Sequence, residues 1–303
     1  MLLSFHNVNM NYLGGYIGLD DLSFDMQEGT HCVFVGGTGS GKTNLARTIC
    51  GIEPISSGSI TFRGQDLTKI SLQDRNFGMT FGYDSLQLKQ TLFDNVAYPL
   101  RLRGVDEKNI ASKILHIANA LDIAKYLDSL AKNVDEKILS LTILARLLVV
   151  DRQLYVVDNI LEKFDYPTKA DLLQRILPLI QDKNVVWLTS DFQEGKKLSN
   201  EIFILSHCKI VDKVDDNFVR PSHLATYLAV HSLHDCEDDS GELRYDGNHW
   251  ALEVDDKCYP CAEPISDIYK DKRVLVFCLN KKIDPTCYFD LASEYNITKV
   301  KNG

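Results

Sequence analysis

Eight consecutive residues, Gly36, Gly37, Thr38, Gly39, Ser40, Gly41, Lys42 and Thr43, follow the spacing G-x-x-x-x-G-K-T. That spacing has a physical purpose. Glycines let the backbone turn its N–H groups inward around α- and β-phosphates, the lysine reaches the β- and γ-phosphates, and the threonine hydroxyl serves Mg²⁺. Asn44 follows directly and completes the candidate binding stretch. Such a loop needs a strand before it and a helix after it. Thr30 to Val35 reads as a short buried strand, and Lys42 to Cys50 reads as the opening helix. The implied ligands are a nucleoside triphosphate and Mg²⁺.

The elements that must hold this loop follow an α/β rhythm from the start to about residue 215. Strands are predicted at 2–9, 31–36, 153–158, 184–190 and 201–206, with helices at 42–50, 107–129, 138–150 and 168–181. Leu172, Leu173, Ile176, Leu177 and Ile180 give the last helix one apolar face, and the continuous run Leu154 to Val157 suits a parallel sheet covered on both sides. After Pro221 the pattern changes to short alternating runs, such as Trp250 to Val254 and Arg273 to Leu279, separated by turn residues and preceded by an acidic stretch. That is the pattern of a small all-β domain. The acidic stretch reads most simply as a solvated face.

Composition narrows the class. The chain has 303 residues, 45% hydrophobic and 25% charged, which gives ample material for a core. A net charge of −9 argues against nucleic acid as the main partner. The apolar stretch Ile138 to Val150 is too short to span a bilayer and carries Arg146, so no direct membrane insertion is expected. The first residues lack the basic and apolar blocks of a secretory signal. Eight cysteines are scattered; Cys258 and Cys261 form the one close pair, with Cys236, His234 and His249 near in sequence. A metal or redox site there and a set of reduced, buried thiols both remain open.

From the N-terminus to about residue 215, the order of segments resembles the ATP-binding subunits of ABC transporters, most closely the sugar and glycerol-phosphate importer type with a C-terminal β domain. Leu19-Asp20-Asp21-Leu22-Ser23-Phe24 with Glu28-Gly29 looks like the family's approach to the phosphate loop. Thr91 to Val96 and Tyr98 to Arg103 resemble the segment that meets the membrane subunit, and Ala145 to Leu148 with Tyr155 to Asp158 resembles the second nucleotide motif. The likeness implies an α/β domain at 1–220, with a mixed sheet and a helical subdomain at about 85–150. A small all-β, OB-like regulatory domain at 225–303 would follow. It implies ATP and Mg²⁺ as cofactors, with Thr43 and Asp158 at the metal. Tyr12 falls where the family stacks an aromatic on adenine; Tyr16 competes for that role, and a tyrosine that merely ends a strand is the plainer alternative.

Several family positions are changed. Where the family has a glutamine, a catalytic glutamate and a histidine, this chain has Gly82, Asn159 and Ser190. Where it has Leu-Ser-Gly-Gly-Gln, this chain has Val134, Asp135, Glu136, Lys137 and Ile138, and no glycine lies between Gly104 and Gly195. Asparagine has no basicity at neutral pH, and a lost general base costs roughly 10²–10⁴-fold in rate. No catalytic residue is therefore assigned. The resemblance implies a subunit that binds Mg-ATP with little or no hydrolysis, paired with a competent second ATP-binding subunit as a heterodimer. The pair would sit on transmembrane permease subunits, peripheral to the inner, cytoplasmic face of the membrane. A nucleotide-sensing regulatory or scaffold protein that has left transport is the other reading, and a P-loop enzyme of another kind, such as a small-molecule kinase, is a third.

Overall fold

A computed structural model describes residues 1–199 and 201–214, and beyond them the backbone of the strands in 238–245, 250–254, 257–260, 273–279 and 282–290. The chain divides into two compact units, Met1–Asn217 and Phe218–Gly303.

The first unit opens with β1 (Leu3–Asn11) and β2 (Ile17–Met26), an antiparallel pair, and reaches β3 (His31–Val35) before the phosphate loop. Helix α1 (Lys42–Cys50) leaves the loop and stops at Gly51, whose φ of 76° lets its N–H close onto the Arg47 and Thr48 carbonyls. Two short strands follow, β4 (Ser57–Phe62) and β5 (Gln65–Asp66), then β6 (Phe77–Met79). Helices α2 (Leu92–Arg101), α3 (Glu107–Ala120) and α4 (Glu136–Leu148) come next. After them, β7 (Leu154–Asp158), α5 (Tyr166–Ile180), β8 (Val185–Thr189), α6 (Phe192–Leu198) and β9 (Ile202–Ser206) restore the alternation, and β10 (Lys209–Val214) returns as a hairpin.

Two sheets result. One is antiparallel with order β2-β1-β4-β5; the other has order β10-β9-β3-β8-β7-β6 and is parallel except for the β10–β9 edge. The sheet is therefore mixed, and β3 at its middle is apolar on both faces, with Cys32 to Val35 buried. A run of rings joins the two sheets: Phe5 on Phe24 at 4.6 Å, Phe24 on Phe34 at 4.9 Å and Phe34 on Phe203 at 5.1 Å. Leu45 and Ile49 of α1 share that core. Helices α2, α3 and α4 pack on one another as a helical subdomain.

Several helix limits differ from the sequence reading: α4 ends at Leu148 rather than 150, and α5 runs Tyr166–Ile180 rather than 168–181, while two further differences have a local cause. The helix predicted over 107–129 ends at Ala120, because Asp122 takes a φ of 58°; a 3-10 turn at Ala124–Tyr126 carries the rest. The helix predicted from 138 starts at Glu136, because the Asp135 carboxylate accepts the Ile138 N–H at 2.9 Å and caps it.

The second unit contains β11 (Asp238–Tyr245), β12 (Trp250–Val254), β13 (Lys257–Pro260), β14 (Arg273–Leu279) and β15 (Lys282–Asp290), in the antiparallel order β13-β12-β11-β14-β15. Of the cysteine and histidine candidates, Cys236, His234, His249 and Cys261 lie outside the described residues.

Candidate phosphate and metal site

Parallel strands end on one side of their sheet, and the loop after β3 lies at that end beside the ends of β7 and β8. The Gly36 N–H donates to the Thr189 carbonyl at 3.1 Å, which fixes the start of the loop to β8. Two glycines are compelled by geometry. A Cβ on Gly36 would run into the Leu205 carbonyl and the Ser40 hydroxyl. Gly41 caps α1 at a φ of 102°, where a Cβ would also stand 3.2 Å from the Cys208 Cα and the Gly18 carbonyl.

The functional side chains converge inside this frame. The Lys42 ammonium is buried and donates to the carbonyls of Gly36 at 2.5 Å and Gly37 at 2.8 Å. Burial lowers the Lys42 pKa, and the carboxylates of Asp158 and Glu162 oppose that shift. Thr43 is exposed, and its hydroxyl donates to Asp158 Oδ2 at 2.7 Å. The Asp158 N–H donates in turn to the Thr80 hydroxyl at 2.8 Å, so β6 and β7 lock the carboxylate in position. Burial raises the Asp158 pKa against the lowering effects of the Thr43 hydrogen bond and Lys42.

These residues suit a divalent cation and a polyphosphate. Asp158 Oδ1 is buried with no partner among the described residues, and so is Ser40 Oγ, while Thr43 and Asp158 already share one point. A hard cation favours such an oxygen donor set, and the glycine cradle leaves backbone N–H groups for anions. The loop residues Thr38 and Gly39 are exposed, and Gly39 holds a φ of 78°.

Tyr12 lies at the edge of this region. Its hydroxyl donates to Asn44 Oδ1 at 2.8 Å, while Asn44 Nδ2 donates to the Gly18 carbonyl at 3.1 Å. The tyrosine is thus tied to the residue after the loop. Tyr16 is more exposed, at 77% against 36%.

The changed positions are also accounted for. Asn159 follows Asp158 in a left-handed conformation, φ 48°, with its N–H on the Leu188 carbonyl at 2.8 Å. Its Oδ1 accepts from the Ser190 N–H at 3.2 Å and from the Ser190 hydroxyl at 3.3 Å. Two positions 31 residues apart are therefore one hydrogen-bonded pair. Gly82 has a φ of −60°, open to any residue, and a Cβ there would meet chiefly the Asp84 carboxylate. The segment after it is fastened to α4: the Tyr83 hydroxyl lies 2.9 Å from Ser140 Oγ, and Arg146 donates to the Ser85 carbonyl at 2.7 Å.

The Val134 to Ile138 stretch is brought next to the loop after β7. Glu136 pairs with Lys163 at 3.5 Å, Lys137 with Asp165 at 3.9 Å, and the Lys137 ammonium stands over Phe164. Asp135 places its carboxylate on the helix N-terminus, where a phosphate would otherwise find N–H groups and a positive dipole.

Sequence reasoning missed Thr80, Glu162 and the cluster beneath β8. There, buried Glu194 accepts the Trp187 indole N–H at 2.7 Å, and Lys169 reaches Asp191 at 3.0 Å and Glu194 at 3.8 Å. The spacing Asp191-x-x-Glu194 ahead of a short helix was the available signal, since the Asp191 carboxylate caps α6 by accepting the Gln193 and Glu194 N–H groups.

Residues 19–162 match the family model described as ABC transporter. The chain is 30% identical over 221 residues to the molybdate/tungstate import ATP-binding protein of Pyrococcus horikoshii, covering 71% of this chain and 64% of that protein. It is 29% identical over 211 residues to the sn-glycerol-3-phosphate import ATP-binding protein of Vibrio cholerae, covering 69% of this chain and 57% of that protein. The chain therefore spans less than two thirds of the length of these relatives. A dimeric ATP-binding cassette in a post-hydrolysis state, bound to ADP and Pi, superposes with a TM-score of 0.65 at 17% identity, covering 72% of this chain and all of the other. That likeness fixes the fold of the first unit as the α/β fold of an ATP-binding cassette.

Proposed function

We propose that this chain, homologous to the ATP-binding subunits of ABC importers, is such a subunit in which binding has been kept and hydrolysis lost. Mg-ATP binds at Gly36 to Thr43, with Thr43 and Asp158 holding the metal and Tyr12 beside the base. The observation that carries the binding half is the Thr43–Asp158 contact at 2.7 Å beside an unpartnered buried carboxylate oxygen. Bound Mg²⁺ would supply charge neutralisation for the phosphates. Lys42, whose ammonium rests on carbonyls of the same loop, is the cation for the β- and γ-phosphates.

The hydrolytic half fails for want of a base. Asn159 cannot take a proton from water, and its amide oxygen is already committed to Ser190. The capped, acidic start of α4 makes a poor lid for a second chain's nucleotide. These features support a pairing with a different, competent ATP-binding subunit, and with transmembrane permease subunits at the cytoplasmic face of the membrane. No helix among the described residues is long and apolar enough to cross a membrane, in keeping with attachment through such partners. The second unit, with its antiparallel strands, fits the role of an OB-like regulatory domain.

Calorimetric titration of the purified chain with ATP and Mg²⁺, run beside a phosphate-release assay, tests this. Binding without turnover is expected, and Lys42→Ala should weaken ATP by about 10–100-fold, the worth of a charge-assisted hydrogen bond. Turnover at the rate of an ordinary ATPase would sink the hydrolytic half; unchanged affinity in Lys42→Ala would sink the site.

A further inference from the structure

We infer that Asn159 is a phosphate-holding residue: oriented by Ser190, its amide donates to the terminal phosphate of a bound triphosphate and makes the chain prefer ATP to ADP. This rests on the nucleotide-binding reading and extends it. Three features of the structure carry it.

The first is the orientation of the amide. The Ser190 backbone N–H can only donate, and it lies 3.2 Å from Asn159 Oδ1, with the Ser190 hydroxyl at 3.3 Å on the same oxygen. The atom facing Ser190 must therefore be the oxygen, and the NH₂ group must face the other way. Among the described residues nothing accepts a hydrogen bond from that NH₂ group.

Placement is the second. Asn159 directly follows Asp158, which binds the loop through Thr43. Ser190 directly follows Thr189, whose carbonyl holds the Gly36 N–H. The pair is thus anchored from both sides to the phosphate loop, beside Asp158, the metal-suited carboxylate whose charge acts on Lys42, the residue that serves the β- and γ-phosphates.

The third is chemical sign. A carboxylate at this point would face a polyanion as a like charge, whereas an amide NH₂ faces it as a neutral donor. The backbone supports the choice, since asparagine tolerates the left-handed φ of 48° that position 159 adopts. The amide oxygen is held, so the donor is presented without further ordering. Ser190 is a positioning residue: its N–H and hydroxyl fix which arm of the amide points at the phosphate.

The test measures dissociation constants of the full chain for ATP and for ADP, each with Mg²⁺, by calorimetry. Asn159→Asp keeps the shape and replaces the donor with an acceptor; Asn159→Gly removes the side chain at a φ that glycine accepts freely. Both should lower the ATP-over-ADP preference about 10-fold while ADP affinity stays within about 2-fold, which also reports an intact fold. Ser190→Ala should lose part of the preference, and Ser190→Thr, which keeps the hydroxyl, should restore it. A wild-type ATP-to-ADP ratio in both Asn159 variants overturns the assignment, with nucleotide binding itself left standing. Failure of the wild-type chain to bind either nucleotide overturns the binding reading and this one with it.

Discussion

Replacing Glu194 with glutamine should make the protein's stability less sensitive to pH between about 4.5 and 7. Glu194 is 3% exposed, and burial is the main reason its pKa rises from 4.5 to about 7, with the Trp187 hydrogen bond and Lys169 opposing and Asp191 assisting. The fold therefore favours the protonated acid. For a group whose pKa is raised by folding, the contribution is complete below the unfolded value and fades as pH climbs through the folded one. Between pH 4.5 and 7 the wild type thus loses stability from this residue. At about 1.4 kcal/mol per unit, the shift amounts to about 3 kcal/mol once pH exceeds 7. Glu194→Gln keeps an oxygen for the Trp187 N–H and leaves Lys169 with Asp191 at 3.0 Å. The assay is urea unfolding of both proteins at half-unit steps from pH 4.5 to 8.5, followed by tryptophan fluorescence. The difference between the two curves cancels every other titrating group, and it should favour the variant increasingly up to pH 7 and then level off. Parallel profiles across this range would refute the account of a buried carboxylate whose partners only partly offset its desolvation.

Two further outcomes follow from the site. Asp135→Ala removes the cap on α4 and should cost about 1 kcal/mol, or about 2–4 °C in Tm, whereas Asp135→Ser, which still caps, should stay near wild type; thermal unfolding distinguishes them. Asn159→Glu should leave ATP turnover within about 10-fold of wild type, because glutamate is poorly suited to a φ of 48°, would abandon Ser190, and finds Gly82 still without its side chain; a large rise in phosphate release would show that the other changes matter little.

The sequence exposed the features that are local. The phosphate loop, α1 and the buried strands β3, β7, β8 and β9 announce themselves through contiguous residues, and their observed limits lie within two residues of the reading. The antiparallel sheet was largely hidden. Its β2 exposes Asp21, Ser23 and Asp25 in alternation but sets Asp20 directly beside Asp21, and bulges interrupt its pairing with β1, so neither a continuous apolar run nor a clean period survives. The Asn159–Ser190 pair was invisible for another reason: each residue was read as a separate loss, while their contact depends on β7 and β8 lying side by side. Thr80 was passed over because a threonine ending a short strand has no signature until its hydroxyl is seen under Asp158.

The turn between β9 and β10 gives the phosphate loop a history as well as a shape. The Cys208 N–H donates to the Ser40 carbonyl at 3.0 Å, its carbonyl accepts the Asp20 N–H at 2.8 Å, and its Cα occupies the space beside Gly41. The loop's wall is therefore completed by one of the last residues of the first unit to be synthesised. On the ribosome, residues 36 to 43 emerge long before residue 208, so the cradle cannot be finished when it first appears. Contacts this distant in sequence form late in folding. The proposed nucleotide binding would then report more than an intact loop: it would require the whole first unit to have closed, from its opening strands to its final hairpin.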